Sequence, residues 1–179
     1  MNKEERDLIE KARKREGEAF GLLYDKYFNS IYRFIYLKTG NKTDAEDISH
    51  QVFLSAWQKI ENYQFRGFPF SSWLYKIALN AVIDHWRTRK PSVSIDLVKD
   101  DLLSELPAFH EEVDQKISLG HVRNAIAKLE PDQQDVIVMK FVDELSNKEI
   151  AEALGKSEGA IRVIQHRALR QLKKLIEEI

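Results

Sequence analysis

With 179 residues, 43% hydrophobic and 32% charged, the chain is long enough for one or two modest domains with buried cores. Its formal net charge of −1 excludes a uniformly basic nucleic-acid coat, so any DNA affinity has to come from local patches. Cysteine is absent, which excludes disulfides, thiolate zinc sites and thiol nucleophiles and fits a reducing, cytoplasmic setting. No run approaches the roughly 18 apolar residues of a membrane span, so no membrane insertion is expected. The charged start Met1-Asn2-Lys3-Glu4-Glu5-Arg6 lacks the apolar core of a secretory signal. Seven glycines, four prolines and apolar spacings of three and four predict an all-α chain.

Residues 3–16 read as a first helix with a narrow stripe of Leu8, Ile9 and Ala12, broken at Gly17. A second helix is expected from about Glu18 to Tyr27 and a third from about Phe28 to Lys38, burying Phe20, Leu23, Tyr24, Tyr27, Ile31, Phe34 and Ile35. After the turn Gly40-Asn41-Lys42, Thr43 and Glu46 have the spacing of a capping box. Ile48, Val52, Ala56 and Ile60 then repeat every four residues toward a core. The opposite side carries Asp47, His50, Gln51, Leu54 and Gln58, a leucine among polar groups that suits docking onto another protein. A solvated face with one stray leucine explains the same pattern.

Residues 62–72 form a loop with Tyr63, Phe65, Phe68 and Phe70 around Arg66, Gly67 and Pro69. So many aromatics in a loop either fold back on the core or stack something, and nucleic-acid bases are a natural candidate. Ser71 or Ser72 can cap the next helix, which runs to about Lys90. Its inner stripe is Leu74, Ile77, Ala78 and Ala81, with Trp73, Lys76, Asn80, Ile83 and Arg87 outside. The basic end Trp86-Arg87-Thr88-Arg89-Lys90 also complements the helix dipole.

Pro91 stops that helix. Residues 91–112 hold six acids (Asp96, Asp100, Asp101, Glu105, Glu111 and Glu112) against Lys99, and read as an acidic linker between two small helical domains. The second domain opens near Val113 with a helix through Ile117, Val122, Ile126 and Leu129. Pro131 suits the first turn of the next helix, which carries Val136, Ile137 and Phe141.

The last thirty-odd residues are the most informative. Ser146 and Glu149 make a capping box, Gly155 a helix stop, and Ser157 a second cap. Helix, tight glycine turn and helix form a helix-turn-helix. On its second helix Ile161, Ile164, Ala168, Leu172 and Leu175 share one stripe. Gly159, Arg162, Val163, His166, Arg167 and Arg170 lie opposite, where arginines reach phosphates or guanine edges and Val163 a thymine methyl.

With these segments in hand, the chain resembles the extracytoplasmic-function (ECF, group 4) sigma factors of bacterial RNA polymerase, within the sigma-70 family. Asp44-Ala45-Glu46-Asp47-Ile48 with Val52-Phe53-Leu54, Ala56 and Trp57 is similar to that family's core-binding helix. Phe65-Arg66-Gly67 and Ser72-Trp73-Leu74-Tyr75-Lys76-Ile77-Ala78, with Asn80 and Asp84, is similar to its −10 reading segment. Leu129, Pro131, Val136, Lys140 and Phe141, then Glu149-Ile150-Ala151 and Gly159, Ile161, Arg167 and Ala168, resemble the −35 module. The chain departs from the family at His50-Gln51, where Gln-Glu is common, and at Phe68-Pro69-Phe70, where acidic and serine-rich sequence is usual.

The resemblance implies a promoter-directing subunit, not an enzyme, with no cofactor. Residues 1–90 would bind core polymerase and read the −10 element, 91–112 would be the acidic linker, and 113–179 would read −35. The −10 residues would be Tyr63, Phe65, Arg66, Gly67, Phe70, Ser71, Trp73, Lys76, Asn80 and Arg87. Asp47, His50, Gln51, Leu54 and Gln58 would dock on the β′ clamp coiled coil, and the C-terminal domain on the β flap. The partners would be polymerase core, promoter DNA and an anti-sigma factor. A transcription regulator reading an operator would explain residues 130–179 equally well, but not the segment from Phe65 to Asp84. No P-loop, HExxH or nucleophile elbow is present, and the five histidines (His50, His85, His110, His121 and His166) lack metal-ligand spacing.

Overall fold

The computed structural model describes residues 3–65, 67–88, 122 and 124–177. Arg66, the acidic segment 91–112 and the start of the helix expected from Val113 lie outside the described residues. Among the described residues every regular element is helical.

Helix α1 (Lys3–Arg13) buries Ile9 and Ala12, with Glu4 and Glu5 in its first turn and Lys11 and Arg13 in its last, as the helix dipole favours. Glu5 anchors it, accepting hydrogen bonds from Lys26 (2.9 Å) and the Tyr27 hydroxyl (2.5 Å). The chain turns at Arg15, not at Gly17. Arg15 takes φ +66°, while Gly17 is the first residue of the next helix. That conformation is unfavourable for a residue with a Cβ. Arg15 is held there by an ion pair to Glu61, by donation to the Trp57 carbonyl at 2.8 Å, and by the Trp57 ring 5.2 Å away.

Helix α2 (Gly17–Thr39) is a single rod where two helices were expected. Nothing between Tyr27 and Phe28 breaks it, because Leu23, Ile31, Phe34 and Ile35 stay on one buried stripe through that point. It ends at Gly40, whose φ of +66° lets its N–H donate to the Tyr36 carbonyl at 2.8 Å. Helix α3 (Lys42–Lys59) is capped by Asn41, whose Oδ1 accepts from the Asp44 N–H at 3.0 Å, so Thr43 lies inside the first turn and caps nothing. A short 3₁₀ turn, Ile60–Asn62, leads to the aromatic loop. Helix α4 (Phe70–Thr88) begins before either serine proposed as its cap. These four helices share one core, in which the Phe34 and Tyr75 rings meet edge to face at 5.3 Å.

In the C-terminal half, residues 124–127 are helical. Pro131 opens α5 (Pro131–Ile137), which runs on into a π-helical turn, Val138–Val142. The wider turn shifts the register. Met139 becomes fully buried, and Phe141, expected in the core, is 53% exposed. Helices α6 (Asn147–Leu154) and α7 (Glu158–Glu177) follow.

The two halves meet along a seam where α6 packs on α4. Lys38 of α2 pairs with Asp135 of α5, both nearly enclosed. Nearby, Arg33 Nη2 stands 3.7 Å from Asp143 Oδ1, beside Tyr75. Neither Asp143 oxygen, nor the Tyr75 hydroxyl, nor Arg33 Nε finds a hydrogen-bond partner among the described residues. Burial pushes the Asp143 carboxyl up to about 7, against the opposing pull of Tyr75 and Arg33.

Two outcomes test this account. Asn41→Ala should cost about 1 kcal/mol in urea unfolding, whereas Thr43→Ala should stay within about 0.5 kcal/mol of the parent. A carboxyl whose folded-state pKa lies above the ordinary 3.8 contributes fully below that value, and its contribution is lost as pH rises through about 7. Asp143→Asn, neutral throughout, should therefore gain thermal stability on the parent between about pH 4 and about pH 7, by about 2–4 °C per kcal/mol. A difference in midpoints that stays constant across that range would reject the assignment.

Candidate nucleic-acid interface

The helix-turn-helix is built by local sequence. Ser146 Oγ accepts from the Glu149 N–H at 3.3 Å, and the Glu149 carboxylate accepts from the Ser146 N–H at 2.6 Å. Both ends of this capping box are made. Gly155, at φ +64°, closes α6. Ser157 then caps α7, its hydroxyl accepting from the Ala160 N–H at 3.2 Å. Ile161, Ala168 and Leu172 are buried, with Ile164 and Leu175 packed partly behind them. Gly159, Arg162, Val163, His166, Arg167 and Arg170 are all exposed on the other side. Val163 is half exposed, an apolar side chain held in water among cations. Arg162 is tied back to Glu158 at 2.5 Å.

The aromatic loop divides its rings between two roles. Tyr63 and Phe70 are buried and pack against Trp73 at 5.1 and 5.3 Å. Phe70, fully enclosed, is a support for the loop and offers no face to a base, which corrects its place among the contact residues. Burial also pushes the Tyr63 phenol up to about 12. Phe65 is 47% exposed and lies under the Arg6 guanidinium, 4.8 Å from its ring centre. Gly67 adopts φ +84°, a conformation that favours glycine. Asn62, Tyr63, Gln64, Phe68, Pro69, Ser72, Trp73 and Lys76 line an open cavity of about 220 Å³. Ser71, in the first turn of α4, is half-buried and does not line the cavity, and Arg66 is outside the described residues.

Asn80 and Arg87 do not join this cavity. Asn80 opens on a second hollow between α3 and α4, shared with Gln51, Lys59 and Asp84. Arg87 pairs with Asp84 at 3.1 Å in solvent. On α3, Asp47, His50, Gln51, Leu54 and Gln58 are all exposed, with Leu54 at 58%. His50 is braced from behind by the Phe28 ring at 5.3 Å. One cavity residue had no sequence signal: Glu152, which reaches the rim from α6. Nothing local marks it, because its role comes from the seam. No helix among the described residues is long and apolar enough to cross a membrane.

Residues 23–91 match the family described as Sigma-70 region 2, and residues 125–174 match Sigma-70, region 4. Two such regions in this order define the chain as a sigma-70 type promoter-recognition subunit. Over 175 residues it is 35% identical to the ECF RNA polymerase sigma factor BldN of Streptomyces coelicolor, covering 96% of this chain and 66% of that one. It is 31% identical to the ECF RNA polymerase sigma factor SigW of Bacillus subtilis over 185 residues, 96% of both chains. Its fold is also that of CnrH, solved in complex with the cytosolic domain of CnrY, at a TM-score of 0.76 and 23% identity over 98% of each chain. The chain belongs to the ECF sigma factors of RNA polymerase, which direct promoter-specific transcription initiation and leave catalysis to the polymerase.

The division among the loop aromatics is testable by stability alone. Phe70→Ala should cost about 3–5 kcal/mol in denaturant unfolding. Phe65→Ala should cost about 1 kcal/mol or less, the worth of its exposed contact with Arg6.

Proposed function

We propose that the exposed face of α7 reads the −35 duplex, that the cavity beside Trp73 and Lys76 receives an extruded −10 base, and that the outer face of α3 docks on the β′ clamp coiled coil of polymerase. The observation that carries this reading is the joint exposure of Gly159, Arg162, Val163, His166, Arg167 and Arg170 on a helix fixed by two caps and a glycine turn. Arg167 and Arg170 are the specificity and clamp residues, and Val163 meets a thymine methyl. In the −10 cavity, Trp73 offers its ring and Lys76 a phosphate partner, while Phe65 and Gly67 belong to the loop beside it. Capture there offsets an unstacking cost of a few kcal/mol, and stacking supplies about 1–3 kcal/mol per base. Asn80 and Arg87 act one turn or more along α4, on the strand beyond the cavity.

On this reading residues 1–90, 91–112 and 113–179 are the −10 domain, the acidic strap and the −35 domain. The strap follows the basic channel of polymerase, and the C-terminal domain sits at the β flap. The protein works in the cytoplasm, where polymerase is. CnrH is held by the cytosolic domain of CnrY, and an anti-sigma factor of similar role is proposed here.

Transcription in vitro with purified core polymerase tests the whole, with start sites mapped on a genomic library. Arg167→Ala should lower −35-dependent initiation by roughly five- to a hundredfold, the equivalent of about 1–3 kcal/mol, with binding to core polymerase intact. Equal loss of both activities would make α7 merely structural. Trp73→Ala and Lys76→Ala should impair opening of the −10 region, read by permanganate footprinting, more than they impair duplex binding.

A further inference from the structure

The aromatic loop is tied to the first helix at both ends, and those ties bring a side chain to it that has no part in the site described above. At the start of the loop, Arg13 Nε donates to the Glu61 carbonyl at 3.5 Å, and Arg15 pairs with the Glu61 carboxylate. Further along, the Arg6 guanidinium lies over the Phe65 ring, 4.8 Å from its centre. Beside Arg6, buried Glu5 accepts from the Tyr27 hydroxyl, and the Tyr27 ring meets Phe70 at 5.8 Å. Phe70 in turn backs Trp73. Glu5 points inward, so the next residue, about 100° round the helix, emerges on the loop side. Arg6 is exposed there.

Its charge is not neutralised by its neighbours. On α1, Asp7 pairs with Lys11 and Glu10 with Arg13, each at 2.9 Å, while Glu5 pairs with Lys26. Arg6 makes no ion pair among the described residues. Tyr63 and Phe70 pack on each other and on Trp73, whereas Phe65 has the Arg6 guanidinium. A guanidinium lying flat on a ring engages it through its planar face and keeps its N–H donors at the edge, in the fork that fits phosphate oxygens. A lysine in the same place would supply charge without the plane.

We propose that Arg6 belongs to the −10 reading surface: flat on Phe65, it steadies that ring for an unpaired base to stack on and gives its edge N–H groups to a phosphate of the same strand. This extends the DNA contact from the loop to α1. It rests on the assignment of the loop to the −10 strand, and the test separates the two.

Holoenzyme assembled from the full chain and purified core polymerase is titrated by fluorescence anisotropy with a fluorescein-labelled single strand. The strand covers the non-template −10 segment of a mapped start site. Arg6→Ala should weaken binding roughly tenfold. It should also flatten the plot of log affinity against log salt by about 0.7, the contribution of one phosphate on a single strand. Arg6→Lys should keep the parent's salt dependence and still bind less tightly. Combining Arg6→Ala with Phe65→Ala should cost less than the product of the two separate losses, because ring and guanidinium act as a unit. Weaker binding by Arg6→Ala with an unchanged salt dependence overturns the phosphate contact and reduces Arg6 to a brace for the loop. Parent-like binding by Arg6→Ala, with Trp73→Ala and Lys76→Ala weakened, overturns the role of Arg6 and leaves the loop's assignment standing. Parent-like binding by all three variants overturns that assignment and the role of Arg6 with it.

Discussion

Helix α4 is constrained to face three ways at once, and the rest of the molecule is arranged around that. Successive residues on a helix point about 100° apart. Trp73 and Lys76 therefore share the cavity side, Leu74 enters the core, and Tyr75 reaches past the core to the seam. Tyr75 joins two of these environments. Its ring meets Phe34 edge to face, while its hydroxyl stops beside Asp143 of the other half. Rotating α4 to improve any one contact would spoil the other two. This rigidity is what allows a loop with no regular structure of its own to present a defined cavity.

Electrostatics is organised locally, as a net charge of −1 requires. The arginines of α7 gather on one solvent face, whereas the acids at the seam are paired inward with Lys38 and Arg33. A basic helix in a near-neutral chain favours DNA only where that face meets it, which limits non-specific binding. For a subunit that directs polymerase to chosen promoters, weak affinity for arbitrary DNA is an advantage.

Legibility followed sequence distance. The helix-turn-helix was readable because its signals sit within four residues of their targets: Ser146 with Glu149, Gly155 at its stop, Ser157 at the next cap. The exposed faces of α3 and α7 were readable from periodicity. The misplaced features were decided elsewhere in the chain. Arg15 holds its turn because Glu61 and Trp57 are waiting there, more than forty residues on. The aromatic pair Tyr27-Phe28 looked like a helix boundary, yet both residues merely border a stripe that runs straight through. Asn41 took the cap from Thr43 by one helical step, a choice that propensity alone leaves open. Phe141 left the core because of a π-helical turn, which periodicity at 3.6 residues cannot anticipate. Glu152 and the Lys38–Asp135 pair, 97 residues apart, carry no local mark at all.

The seam between the halves combines enclosed ion pairs with polar groups short of hydrogen bonds. Buried apolar side chains run through both halves, among them Phe34, Leu74 and Phe70 in one and Met139, Ile150 and Ile161 in the other. The Asp143 oxygens, the Tyr75 hydroxyl and Arg33 Nε all lack hydrogen-bond partners among the described residues, and an unsatisfied buried group costs about 1–3 kcal/mol. Water would satisfy all three at once, partly offsetting the loss of the Lys38–Asp135 pair. Opening a core offers no such return, because apolar side chains gain nothing from water. A seam of imperfectly paired polar groups therefore costs less to open to water than an equal area of apolar contact.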